Sequence, residues 1–349
     1  AACASHGSAT SRQEQAGPRS SKIKPVLGCD SPIDHPADGA VSDNFRRPDI
    51  LGKSLGDLTK HQASNSVPIV SSQDNHFSGI KTVQAHQEIT MVNVIVEKKD
   101  QITLITINRP EVRNAVDGPT AIELAAAFRA FDTDANQLVA VLTGAEGTFC
   151  AGADLKGISE GKGRGNIVKA EGDAPMGCTR MLLSKPVIAA VEGHAVAGGL
   201  ELAVWSDLRV AATDAVFGVY CRRWGVPLLD GGTIRLSRLI GHSHALDLIL
   251  TGRGVSSDEA KAMGLANRLV EPGLALEKAI EMAESLTVFP QLCMRADRTS
   301  SYEQWGMSLT DALKNEYHHG GEVFKSGETH EGATRFAEGK GRHGDFSDI

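Results

Sequence analysis

Two small-residue segments offer backbone groups that could do chemistry. The first is Phe149-Cys150-Ala151-Gly152-Ala153-Asp154-Leu155-Lys156. Residues this small let a thin backbone bend with its N–H groups exposed. The second starts with the apolar run Val187-Ile188-Ala189-Ala190-Val191, turns at Gly193, and continues through Ala197-Gly198-Gly199 into Leu200-Glu201-Leu202-Ala203. It reads as strand, turn, helix. The first N–H groups of a helix lack internal partners and sit at its positive end, where they can hold negative charge developing on an oxygen. The alternative for each segment is a tight turn that serves packing. Neither matches G-x-G-x-x-G or the P-loop pattern, so phosphate cradling of those kinds is not indicated.

These segments need elements to position them. Val92, Val94 and Val96 alternate with Asn93, Ile95 and Glu97, and after Lys98-Lys99-Asp100 the alternation resumes at Ile102 and Leu104. That pattern predicts a β-hairpin. A helix is expected from about Pro119 through Phe128. Leu138–Leu142, Val187–Val191 and Leu208–Ala212 read as short buried strands. Strands alternating with helices argue for an α/β fold. Helical spacing dominates 256–264, 273–287 and much of 307–338.

The chain has 349 residues, 41% hydrophobic and 23% charged, with a net charge of -7. It is long enough for a substantial core, and it lacks the positive charge of a nucleic-acid binder. No apolar run approaches a membrane span. Six scattered cysteines form no C-x-x-C pair, which gives no support for a zinc site or redox dithiol. They read as free thiols in a reducing compartment.

Composition breaks near residue 90. Residues 1–90 contain no Met, Trp or Tyr and balance nine Lys/Arg against nine Asp/Glu, so the remaining 259 residues carry the whole charge. Such a segment buries too little to offset its ordering entropy and is expected to be disordered. It reads as a transit peptide, a genuine extension, or upstream sequence ahead of a start at Met91.

From about Val92 to Ala337 the order of motifs resembles the enoyl-CoA hydratase/isomerase (crotonase) superfamily. The matching segments include Ile107-Asn108-Arg109-Pro110, Ala151-Gly152-Ala153-Asp154, Ile188 through Leu208, Phe217-Gly218 and Leu250-Thr251-Gly252-Arg253. The resemblance implies a core of ββα turns over residues 91–255 and a helical C-terminal region, 256–349, that assembles homotrimers or homohexamers. It also implies acyl-CoA thioester substrates, with coenzyme A as part of the substrate and no separate cofactor or metal. Two backbone N–H groups, by position Ala151 and Gly198, would hold the thioester oxygen as it becomes an enolate. Glu201, three residues after Gly198, would be a general acid/base.

The sequence departs from the family at one place. Its hydratases carry a second glutamate soon after the Phe-Gly pair, and here that position is Cys221. We expect Asp230, in Pro227-Leu228-Leu229-Asp230-Gly231-Gly232, to supply the second carboxylate. The alternative for Asp230 is an N-cap of the following helix. Arg113, Lys156 and Asp154 lie in segments that border the CoA cleft in this family. Arg222, Arg223 and Trp224 form a basic-aromatic cluster that would line an acyl pocket or a trimer contact. The expected activity is hydration of 2-enoyl-CoA in fatty acid or related acyl-CoA metabolism, in mitochondrion or cytoplasm, with no nucleic-acid or membrane partner. The alternatives are enoyl-CoA isomerisation, CoA-thioester binding with little activity, and hydrolysis with Cys221 as nucleophile and His194 as its base.

Overall fold

A computed structural model describes residues 92–161 and 163–344. The expected disordered segment, 1–90, lies outside the described residues. The strands are β1 (Val94–Lys99), β2 (Ile102–Ile107), β3 (Val139–Gly144), β4 (Val187–Val191), β5 (His194–Val196), β6 (Leu208–Ala212), β7 (Val216–Gly218), β8 (Gly254–Ser256) and β9 (Arg268–Val270). The helices are α1 (Gly118–Thr133), α2 (Leu155–Ser159), α3 (Gly198–Trp205), α4 (Gly232–Thr251), α5 (Ser257–Ala262), α6 (Ala275–Thr287), α7 (Gln291–Glu303), α8 (Leu309–Ser326) and α9 (Glu328–Ala337).

The main sheet has the order β1-β2-β3-β4-β6-β9, and a small sheet has the order β5-β7-β8. The β1/β2 hairpin is antiparallel, and every other pairing in the main sheet is parallel. Parallel strands need long crossovers, so the helices fall between them. Alternation decides which side chain goes where. Ala140, Leu142, Ala189 and Val191 face a core shared with Phe128, Phe149, Leu200 and Phe217. Val139, Val141, Ile188, Ala190 and Val210 face the other way, onto Ala275, Ala279 and Ala283 of α6. Three alanines at a spacing of four let that helix lie close to the sheet. β9 and α6 therefore belong to the main sheet and its cover although they lie beyond residue 255.

The expected strands and the α1 start are in place. Asp117 caps α1 through Thr120 N–H, with Pro119 in the first turn. β1 buries less than its alternation predicts. Only Val94 is buried, while Val92 and Val96 are 56% and 46% exposed, because β1 is the sheet edge. Helix α7 went unread in the sequence. Its polar run Arg298-Thr299-Ser300-Ser301 hides the periodicity.

Candidate active site

Helix α3 carries Glu201 in its first turn, and all eight of its residues are buried. The small sheet supports it. Cys150 pairs with Ala195, and Ala197 N–H donates to the carbonyl of Gly218. Ala197 enters the helix at φ 54° and ψ -124°, a conformation that non-glycine residues rarely adopt. This strained entry aims the first N–H groups of α3 toward the 150–154 loop. Gly152, at φ 98°, makes the approach possible: a Cβ there would lie 2.8 Å from Ala197 Cβ and 2.9 Å from Gly198 N.

The loop's donors are not those expected from the sequence. Ala151 borders the cavity, but its N–H donates to the Arg113 carbonyl at 3.0 Å. Gly152 N–H is turned to the Cys150 sulfur, 3.3 Å away. Ala153 is different. Val116 N–H donates to Gly152 O and Asp154 N–H donates to Val116 O, a parallel bridge that spans Ala153. In that pattern the N–H of the spanned residue points away from the partner strand. Ala153 also borders the cavity, so the loop's available donor is Ala153 rather than Ala151. Gly198, the first residue of α3, supplies the other N–H without an intrahelical acceptor.

The cavity encloses about 610 Å³ and is bordered by Ala153, Gly198, Glu201, Cys221, Asp230 and Arg113, among others. Glu201 is 2% exposed and Asp230 4%. Glu201 Oε1 accepts the N–H groups of Asp230 (2.8 Å) and Gly232 (2.9 Å). A Cβ on Gly232 would lie 2.9 Å from that oxygen, so glycine is what lets the carboxylate rest against the start of α4. Asp230 Oδ1 accepts Met176 N–H (2.8 Å) and the Thr179 hydroxyl (2.5 Å). Neither Oε2 of Glu201 nor Oδ2 of Asp230 has a hydrogen bond among the described residues, and both residues border the cavity. The N-cap alternative for Asp230 does not hold, because α4 is capped by Gly231 without any side-chain hydrogen bond.

Burial, and then the neighbouring Asp230 charge, pushes the Glu201 carboxyl up to about 7. Burial also raises Asp230, against the hydrogen bonds from Thr179 and Met176. Two acids share one cavity, neither in an ion pair among the described residues, and the charge of Asp230 disfavours ionisation of Glu201.

Cys221 borders the same cavity, where the family places its second glutamate. Burial, followed by the charge of Glu201, raises its thiol above the ordinary range. A nucleophilic cysteine needs the opposite shift. Arg222 and Arg223 do not enter the cavity. Arg222 Nε donates to Ile249 O, and the Arg223 guanidinium lies 4.1 Å from the Tyr220 ring centre. Trp224 does border the cavity and is 70% exposed.

The three expected CoA contacts divide. Arg113 is exposed and borders the cavity. Lys156 is exposed on α2, outside the cavity lining. Asp154 is a structural residue: Oδ1 caps α2 through Lys156 N–H and Gly157 N–H, and Oδ2 pairs with Arg109 at 3.0 Å. An acid committed in this way offers nothing to a phosphate. Reading the sequence missed Arg109, Asp117, Met176, Thr179 and Arg235. Only Asp117 carried a local signal, as a cap preceding Gly118-Pro119.

Residues 97–347 match the family model for enoyl-CoA hydratase/isomerase. The enoyl-CoA hydratase EchA19 of Mycobacterium tuberculosis is 37% identical over 250 residues, covering 70% of this chain and 94% of that protein. The crotonyl-CoA hydratase of Syntrophomonas wolfei is 32% identical over 253 residues, covering 70% and 95%. The crystal structure of enoyl-CoA hydratase EchA1 from Mycobacterium marinum superposes with a TM-score of 0.66 at 41% identity, covering 70% of this chain and 96% of that one. The α/β architecture, the cavity and these matches together make the chain a member of the enoyl-CoA hydratase/isomerase family.

Proposed function

We propose that the protein is an enoyl-CoA hydratase, adding water across the C2–C3 double bond of a 2-enoyl-CoA to give a 3-hydroxyacyl-CoA. The observation that carries this is the pairing of two buried carboxylates, Glu201 and Asp230, on one cavity beside two available backbone N–H groups. The thioester oxygen accepts from Ala153 and Gly198, and polarisation makes C3 electrophilic. Each donor of this kind contributes roughly 2.7–4 kcal/mol to the transition state. Water sits between Oε2 of Glu201 and Oδ2 of Asp230. In the reacting state one acid of the pair is ionised and the other protonated, as the raised pKa of both groups allows. The ionised member takes a proton from water as its oxygen bonds to C3. The protonated member gives its proton to C2 as the enolate collapses. The pair ends with the proton on the other acid, and an exchange between the two resets it.

Arg113 offers a cation to the CoA phosphates at the cavity rim, and Lys156 offers one further out. The chemistry needs no cofactor beyond the CoA of the substrate. The exposed stripe Leu309, Leu313, Tyr317 and Phe324 on α8 supports self-association as a trimer. No helix among the described residues is long and apolar enough to cross a membrane. The compartment reading, mitochondrial or cytoplasmic, is tested by locating the tagged full chain in cells.

The reaction is tested by incubating the protein with a series of 2-enoyl-CoA thioesters and following product mass. Gain of one water is expected. Conversion without a mass change identifies an isomerase, and tight binding without conversion identifies a binding protein.

A further inference from the structure

Resting on that reading, we propose that Arg235 is the positioning residue of the second carboxylate, its guanidinium fork clamping the backbone on both sides of Asp230's hydrogen-bond network. Nη1 donates to the Asp230 carbonyl at 2.8 Å, and Nη2 donates to the Thr179 carbonyl at 2.7 Å. Thr179 in turn donates its hydroxyl to Asp230 Oδ1. One planar group therefore ties the residue that carries the acid to the residue that orients it. The clamp includes Glu201 as well, because Asp230 N–H is one of the two donors to Glu201 Oε1. Gly231 makes room for it: a Cβ there would lie 2.1 Å from Arg235 Nη1.

The fork touches carbonyls and neither carboxylate. It can orient Asp230 without neutralising it, and its charge acts on both acids from behind. Arg235 favours the ionised form of Glu201 and of Asp230, against the burial that raises both. Other groups face this cluster. Arg180 acts on Asp230 in the same direction as Arg235. Cys178, Tyr302, Glu201 and Asp230 all face Arg235. Cys221 faces Glu201. On the side away from the active site, Arg235 borders a second cavity of about 330 Å³ with Arg180, Arg238, Arg298 and Asp207, whose Oδ1 accepts from Arg298 and the Tyr302 hydroxyl.

Arg235→Gln and Arg235→Lys separate charge from geometry. The glutamine variant loses the charge, so Glu201 and Asp230 both become harder to ionise. The acid limb of its kcat/KM profile is expected to move to higher pH, with kcat reduced at least tenfold and KM for the CoA thioester within twofold of wild type. The lysine variant keeps the charge but has one nitrogen for two carbonyls. Its acid limb should stay in place while kcat falls. Carboxyl-labelled protein, with Glu201→Gln and Asp230→Asn spectra for assignment, lets carbon NMR read both titrations without turnover. Unmoved titrations in Arg235→Gln, with activity lost only in proportion to the unfolded fraction, would make Arg235 a packing residue and overturn the proposal. A wild type that hydrates no enoyl-CoA would instead overturn the hydratase reading, and the titrations would still decide the role of Arg235.

Discussion

Asp117 and Glu201 are both buried carboxylates that accept several hydrogen bonds, and their acidities move in opposite directions. Asp117 Oδ1 accepts the Thr120 N–H and hydroxyl at 3.0 and 2.6 Å. Its Oδ2 accepts two nitrogens of Arg164 and lies 3.4 Å from Arg109. Burial alone would raise its pKa, but Thr120, Arg164 and Arg109 outweigh burial and hold it below the ordinary aspartate range. Glu201 also has two donors, yet they are neutral backbone groups, and the nearest cation binds carbonyls instead. The charge that acts on it most is that of another acid, Asp230. Burial therefore wins, and the group titrates near 7. The difference lies in where the arginine points. A guanidinium placed on an oxygen makes a strut, and one placed one peptide away leaves an acid able to give and take protons.

This contrast predicts that removing each charge damages a different property. Glu201→Gln and Asp230→Asn should each lower kcat/KM for hydration by about 10²–10⁴-fold. Folding should be little affected, since each amide keeps an oxygen to accept the same donors. Loss of enoyl absorbance measures the rate, and thermal melting measures the fold. Either variant at the wild-type rate would remove that residue from the reaction. Asp117→Asn should do the reverse. It leaves Arg109, 7% exposed, with Asp154 as its counter-ion among the described residues, so the loss should fall below the roughly 3–5 kcal/mol of a buried charge left wholly unpaired. Urea unfolding should show that loss, while the surviving folded enzyme keeps kcat within a few-fold.

The two acids also predict opposite responses of stability to pH. Asp117 has a folded pKa below that of its unfolded state. Its contribution is fully present above the ordinary value of 3.8 and is lost as pH falls through the folded value. Glu201 has a folded pKa of about 7 against an ordinary 4.5, so the folded protein binds the extra proton between those values. Stability therefore declines as pH rises across that window, by up to about 3 kcal/mol. Glu201→Gln removes this penalty. The variant should match wild type near pH 4 and exceed it at pH 8 in urea unfolding. Equal stability at pH 8 would show that the carboxylate is solvated more freely than its burial implies.

How much of this was legible depended on whether a signal was local. The strands at Val187–Val191 and Leu208–Ala212 were readable because residues buried on both faces form continuous apolar runs. Glu201 and Gly198 were readable from a motif within one helical turn. The place of Asp230 on the Glu201 cavity followed from asking where a missing carboxylate could come from. The free N–H of the loop lies two residues after the expected Ala151, since the choice between Ala151 and Ala153 depends on a bridge to Val116, far off in the chain. Arg109 meets Asp154, Thr179 meets Asp230, and Arg235 meets the Thr179 carbonyl, each across 45 or more residues, and no spacing in the sequence encodes that. Asp154 was expected at the CoA because its motif resembles one that borders the CoA cleft, whereas its oxygens are spent on α2 and Arg109.

The smallest expected effect lies at the rim, where charges face water. Arg113 is exposed at the cavity mouth, and Lys156 is exposed outside the lining. Ion pairs of such groups are worth about 0.2–1 kcal/mol, against several for a buried charge. Arg113→Ala should therefore raise KM for the CoA thioester by about 2–5-fold with kcat unchanged, and Lys156→Ala by less. Because solvent-facing charges are screened within about 8–10 Å at ordinary ionic strength, both differences should shrink as salt is added. The Glu201 and Asp230 defects should not, since salt does not enter a site whose carboxylates are 2% and 4% exposed. Measuring all four variants at low and high salt sets the two kinds of charge side by side. An Arg113 defect that persists in high salt would mean that substrate binding closes the rim and desolvates the guanidinium.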